Sequence, residues 1–268
     1  MRLQVEELNK AVGATNVRNT LRDLPRSLDE FHDKALSRIK NFEKNSKRAA
    51  FHVLSWIFYA QRPLQMKELL AAVMLSQSGR KQNSSVQDEA HLPYNVNKLS
   101  EGLAFHDEHS GIVAFAHPTV QEYFKTLIDT TNDDSFTDQF LSKIDVAKVC
   151  LNCIGSVVFK ECKPSSHYIG YNRYYRSLDA LLKQNPFLPY SVQFWSLHAR
   201  EADEPQAVQD AIFMVFASKT SRIGVHEAAE ITRQGNRGSF WIPKNFTFLH
   251  FAAENGLTKI TDILLKDG

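Results

Sequence analysis

One stretch breaks the rhythm of this chain. Its apolar residues mostly recur at spacings of three and four, but over "LAFHDEHSGIVAFAH", from Leu103 to His117, the period drops to two. Two short runs rich in Phe, Ala, Val and Ile flank the turn Asp107-Glu108-His109-Ser110-Gly111, which is the signature of a β-hairpin. The fold must therefore be mainly α and still make room for a small piece of sheet.

The segments around the hairpin define its neighbours. "RSLDEFHDKALSRIKNF" opens with a capping box, Ser27 and Glu30, and carries Leu28, Phe31, Ala35, Ile39 and Phe42 on one stripe. "RAAFHVLSWIFYA" is apolar nearly all round, which suits a central buried helix ending near Arg62, ahead of Pro63. In "LQMKELLAAVML", Met66, Leu69, Leu70, Val73 and Met74 fall at amphipathic spacing. The polar run "SQSGRKQNSSVQDEA" reads as a surface loop, and "YNVNKLSEGL" as a short helix. After the hairpin, "PTVQEYFKTLI" predicts a helix with a capping box at Thr119 and Glu122 and with Val120, Tyr123, Phe124 and Leu127 on one face. Three helices and a two-stranded wing make a winged-helix module, expected over 27–131 together with the capped helix that precedes it. Residues 1–26 are expected to be a helical lead. A helical region spans 132–241, with helices near 136–159, 178–184, 187–200, 205–218 and 225–234, and "ECKPSSHYIGYNRYYR" falls between two of them. The final segment, 242–268, has the outline of one helix–turn–helix unit.

Composition excludes several function classes. Lys and Arg number 32 against 30 Asp and Glu, a net charge of +2, so there is no general attraction to nucleic acid or anionic lipid. Three cysteines, Cys150, Cys153 and Cys162, are too few and too clustered for a disulfide scaffold, which suggests a reducing compartment. The start "MRLQVEELNK" places charges where a signal peptide needs an apolar core, and the apolar run Ala49–Ala60 is too short to span a bilayer. A cytoplasmic protein is expected.

"LPRSLDEFHDKALSRI", "AAFHVLSWIFYAQRPLQMKELLAAVML", "EGLAFHDEHSGIVAFAHPTVQEYF" and "FLPYSVQFWSLHARE" resemble the region that follows the NACHT nucleotide-binding domain in large fungal NACHT–ankyrin proteins. Those NLR-like proteins carry a winged-helix segment of the GPI inositol-deacylase type with a similar order of motifs. The last segment resembles a first ankyrin repeat: Thr247-Phe248-Leu249-His250-Phe251-Ala252-Ala253, then Gly256 and Leu264-Leu265, with Phe248 where proline is usual. Small Ala252 and Ala253 would let two helices pack closely, and Leu264 and Leu265 would face a following repeat. The resemblance implies a signalling ATPase family, but the ATPase module itself is absent, because no G-x-x-x-x-G-K-[ST] is present to cradle phosphates. A piece of a longer chain and a protein reduced to regulatory and partner-binding parts both remain open.

Candidate chemistry is sparse. Cys150 and Cys153 form a C-x-x-C, but in an apolar helical run, where buried structural thiols are expected. "HEAAE", His226 to Glu230, departs from the H-E-x-x-H zinc motif at its last position. His106, His109 and His117 lie close in sequence without paired Cys or a spaced acidic ligand, so no metal is expected. Ser37 and Lys40 have S-x-x-K spacing on the polar face of the first helix. From Arg48 to Thr130 seven cations meet eight anions, a net of −1, and the wing tip carries two carboxylates; this disfavours DNA recognition. One cluster stands out. Tyr171, Arg173, Tyr174, Tyr175 and Arg176 combine the residue types enriched at binding hot spots, which marks a protein-interaction patch. The expectation is a scaffold with no catalytic residue and no cofactor. It would couple a nucleotide-driven switch to ankyrin repeats through protein partners, with no small-molecule substrate and no membrane. The alternatives are a nucleic-acid-binding regulator and a cryptic hydrolase.

Overall fold

In the computed structural model, residues 28–78, 95–130, 136, 138–159, 168–234 and 246–266 are described, with the side chains of 168–175, 78 and 234 set aside. The lead 1–26, Ser27 of the first capping box and most of the polar run after Ser76 lie outside them. The fold is mainly α, with one small antiparallel sheet among the described residues. Two compact units emerge, one within 1–66 and 89–140, the other within 67–88 and 141–268.

The first unit opens with α1 (Leu28–Lys40), which has Asp29 and Glu30 in its first turn and Arg38 and Lys40 in its last, each favourable toward the helix dipole. Its buried stripe is His32, Ala35, Leu36 and Ile39, and Leu28 is 53% exposed. The expected stripe is therefore rotated by about one residue, because a histidine takes an inward position. α2 (Lys44–Tyr59) buries every residue from 49 to 56, as its all-round apolar character requires. It stops earlier than expected, since Ala60 is already extended (ψ 132°) three residues ahead of Pro63.

The turn into the next element hides a strand that has no periodic signature: β1 is only Leu64–Gln65. Two residues cannot display an alternation. β2 (Ala104–His106) and β3 (Ile112–Phe115) form the expected hairpin, and β1 pairs with the far side of β3, Leu64 opposite Val113, giving the order β1-β3-β2. Asp107 holds the hairpin turn: its carboxylate accepts from the His109 amide (3.1 Å) and the Ser110 hydroxyl (2.6 Å). Gly111 has φ +71°, and a Cβ there would sit 2.6 Å from Gln65 Oε1. α3 (Met66–Ser78) follows β1, and α4 (Val96–Leu99) leads into β2. Beyond Met66, α3 falls in the second unit, although the sequence places it in the 27–131 module. α5 (Pro118–Thr130) begins with proline at its first helical position, so the cap is His117 and not Thr119. The core of this unit is aromatic: Phe124 stacks on Phe140 (5.5 Å) and Phe136 (6.4 Å), and Phe136 meets Phe51 edge-on (5.8 Å).

The rest of the second unit is helical. α6 (Lys143–Gly155) starts with a reciprocal capping box, Ser142 and Asp145, seven residues later than the sequence suggests. α7 (Tyr168–Gln184) starts at Tyr168, about ten residues before the expected position. It is followed by α8 (Leu188–Glu201), α9 (Gln206–Phe216) and α10 (Lys219–Gln234), the last also longer than expected at its start. α6 packs on α8 and α9 through Val146, Cys150, Leu151 and Ile154, and α10 closes against α8. Phe159 packs so closely on Gly224 of α10 that a Cβ there would come 2.5 Å from its ring. A helical hairpin, α11 (Phe248–Glu254) and α12 (Thr258–Lys266), completes the unit.

Candidate protein-interaction site

The aromatic and arginine cluster lies in α7 and not in a connection between helices. The side chains of Tyr171, Arg173, Tyr174 and Tyr175 lie outside the described part, and Arg176 is exposed. Downstream on the same helix, Ser177, Leu178, Ala180, Leu181 and Gln184 join Val158 and Phe159 around a half-open cleft of about 340 Å³. Val158, 84% exposed, is the most solvent-bared large apolar residue among those described.

The terminal hairpin is the better-defined surface. Thr247 accepts from the His250 amide through its hydroxyl, and the His250 ring reaches back to the Thr247 amide, so each end of the first turn satisfies the other. Gly256 adopts φ +66° in the turn to α12, with Arg200 crossing so closely that a Cβ would lie 2.9 Å from its guanidinium. Phe251 packs against both Trp195 (5.7 Å, nearly parallel) and Phe216 (4.7 Å), which also touch each other (4.5 Å), and Ala252, Leu257 and Ile260 are fully buried. Ala253, expected to help close packing, is exposed, because only one of two adjacent helical positions can face the partner helix.

Polar contacts fasten this hairpin, and sequence reading missed all of them. Asp203 and Glu204 take left-handed backbone (φ 60° and 39°) where α8 ends, with the Glu204 amide donating to Ala199 O, a helix-ending motif that usually uses glycine. That bend drives the Glu204 side chain inward, where its carboxylate caps α12 by accepting from the Ile260 amide (3.1 Å). Lys259 pairs with Asp203 (3.0 Å), and His226 Nδ1 sits 3.3 Å from the Glu254 carboxylate. Arg222 is buried. Its guanidinium donates to the last carbonyls of α9, at Phe216 and Ala217, and lies 5.1 Å over the Phe248 ring. Phe248, standing where the resemblance leads one to expect proline, thus meets both Arg222 and, edge-on, Phe213 (5.6 Å). Outward, α12 leaves Leu265 62% exposed, and Leu264 is half-buried.

The remaining candidates disperse. Cys150 and Cys153 are buried free thiols, pushed up by burial (Cys153 to about 11), with Ser191 as their hydrogen-bonding neighbour. A thiol held that high is not a nucleophile at neutral pH. His226 points to Glu254, and Glu230 pairs with Arg233, so "HEAAE" does not converge on a common point. His109 is exposed at the hairpin turn, and His117 serves α5. No group of three His, Cys, Asp or Glu is placed to hold a metal ion among the described residues. Ser37 is an exposed residue of α1. A buried Tyr190–His198 pair (2.8 Å) in α8 gave no sequence signal at all. None of the described helices is long and apolar enough to cross a membrane. No family model, curated protein or solved structure matches this chain.

Proposed function

We propose that this chain is a non-catalytic coupling and protein-interaction segment of an NLR-like signalling protein, acting in the cytoplasm between a nucleotide-driven switch and ankyrin repeats. In this reading the first unit carries a winged helix, since a helix (α2), an edge strand, a short helix (α4) and a hairpin follow in that order there, with the sheet paired β1-β3-β2. The terminal hairpin is the first ankyrin repeat. The observation that carries the reading is that this hairpin is sealed on one side by Phe251 and Ile260 while it offers Leu265 on the other. A unit anchored on one face and apolar on the next suits a junction between two kinds of architecture.

The acidic hairpin turn argues against the nucleic-acid reading. The Ser110 hydroxyl and the His109 amide hold the Asp107 carboxyl below its ordinary range, so it stays ionised where a phosphate would approach. Calorimetric titration separates the readings: neither ATP nor duplex DNA should give binding heat near physiological ionic strength. Saturable heat with ATP would overturn the reading, and salt-dependent heat with DNA would replace it with a nucleic-acid-binding one. For the patch on α7, replacing Tyr174, Tyr175 and Arg176 together with alanine should weaken a captured protein complex at least about tenfold without lowering Tm, as expected for hot-spot residues. Unchanged affinity removes the patch from the proposal.

A further inference from the structure

α1 and α2 meet at a corner where positive charge gathers. Between residues 38 and 48 the chain has five cations, Arg38, Lys40, Lys44, Lys47 and Arg48, against the single acid Glu43. The two helices use these charges in opposite ways. α1 follows the dipole rule, with acids in its first turn and Arg38 and Lys40 in its last. α2 inverts it: no acid lies in its first turn, no cation in its last, and Lys44, Lys47 and Arg48 crowd its positive end. Glu43 occupies the cap position but makes no side-chain cap bond.

Local physics opposes this arrangement. Positions i, i+3 and i+4 share one helix face, so Lys44 repels both Lys47 and Arg48, and all three meet the helix dipole unfavourably. No ion pair holds any of the three among the described residues. Arg38, by contrast, is tied to Glu101 at 3.5 Å. Lys44 is exposed, and Lys47 and Arg48 are half-buried. Local rules broken in this way mark functional surfaces, and an outside anion would offset the cost. Spacing indicates which anion. The three positions span about 6 Å along the helix, and same-side residues of an extended strand recur about every 7 Å, so carboxylates at alternate positions of an extended segment match them. A membrane surface fits less well, because none of the large apolar residues left exposed lies between 38 and 48 to enter a bilayer. Three cations also neutralise too few phosphates to hold a duplex.

We propose that this corner is a docking surface for an acidic protein segment, an extended stretch whose alternate carboxylates meet Lys44, Lys47 and Arg48. Fluorescence anisotropy on the full chain tests it with a labelled peptide of about eight residues alternating Glu and Ser, and with its Gln–Ser counterpart. The acidic peptide should bind saturably and at least about fivefold more tightly than the neutral one, the size expected of a few exposed ion pairs. The difference should shrink as salt is raised. Lys44→Gln combined with Lys47→Gln should remove the preference. Lys44→Glu adds a second readout, because it replaces a repelled cation with an acid at the helix start. It should raise the Tm of the free protein by about 2 °C while abolishing peptide binding, a trade that ordinary surface lysines do not show. Equal affinity for the two peptides, a preference that survives the double substitution, or a Tm that falls in Lys44→Glu overturns the proposal. So does stronger binding to phosphatidylserine vesicles or to duplex DNA that the same double substitution removes, which would assign the corner to lipid or nucleic acid.

Discussion

Tyr190 and His198 show how much a side chain's surroundings decide. Both are buried in α8, and burial pushes the His198 imidazole down to about 4. The unfolded chain, with its histidine near the ordinary 6.5, then binds a proton more readily than the folded one. This contribution is fully present above about pH 6.5 and is lost as pH falls toward 4. Urea unfolding at pH 5 should accordingly give about 2 kcal/mol less stability from this residue than at pH 7.5. His198→Gln should remove most of that slope; an unaltered slope would show that other groups carry it. A second residue-scale expectation concerns space. Gly224→Ala places a methyl against the Phe159 ring and should cost about 2 kcal/mol in denaturant unfolding, the range of an overpacked core. Neither site is legible in the sequence. A histidine inside an aromatic helix and a glycine within a helix look the same whether buried or bare, and only tertiary packing separates the cases.

At the scale of elements, the helices with strong stripes and the hairpin were readable, because period and turn chemistry are local. The failures were also local in cause. β1 is two residues long and exists because β3 offers an unpaired edge. α7 continues back to Tyr168 through a tyrosine- and arginine-rich stretch whose residues are tolerable helix formers but lack an apolar period. α5 takes its cap from a histidine, which no propensity rule favours. The terminal hairpin was legible through its Thr-x-x-His and Gly256, but the carboxylate that caps α12 comes from Glu204, 56 residues away from Ile260. Thr247→Ala should cost about 1 kcal/mol, seen as faster exchange in α11. The last turn of α12, with Leu265 exposed, should exchange far faster than α11, since the end of a helix opens most readily. Uniform strong protection through Lys266 would show that the apolar face is covered in solution.

The whole molecule divides its stability between two units, each with its own aromatic centre: Phe51, Phe124 and Phe136 in one, Trp195, Phe216 and Phe251 in the other. The sequence indicates a mainly α chain, because helical periodicity is local and strong over most of its length. The proposed α7 patch had a compositional signal, and the contacts that fasten the terminal hairpin had none, since they join residues far apart in the chain. Among those contacts, Arg222 has a consequence of its own. Histidine and carboxylate ties come and go with acidity, and exposed ion pairs weaken with salt. A buried guanidinium held by helix-end carbonyls and an aromatic ring keeps its charge at any pH a cell reaches and is shielded from salt. The seam between the helical region and its last hairpin therefore has a fixed pivot with adjustable fastenings around it. Changes in acidity or salt act on the surrounding ties and leave this contact in place.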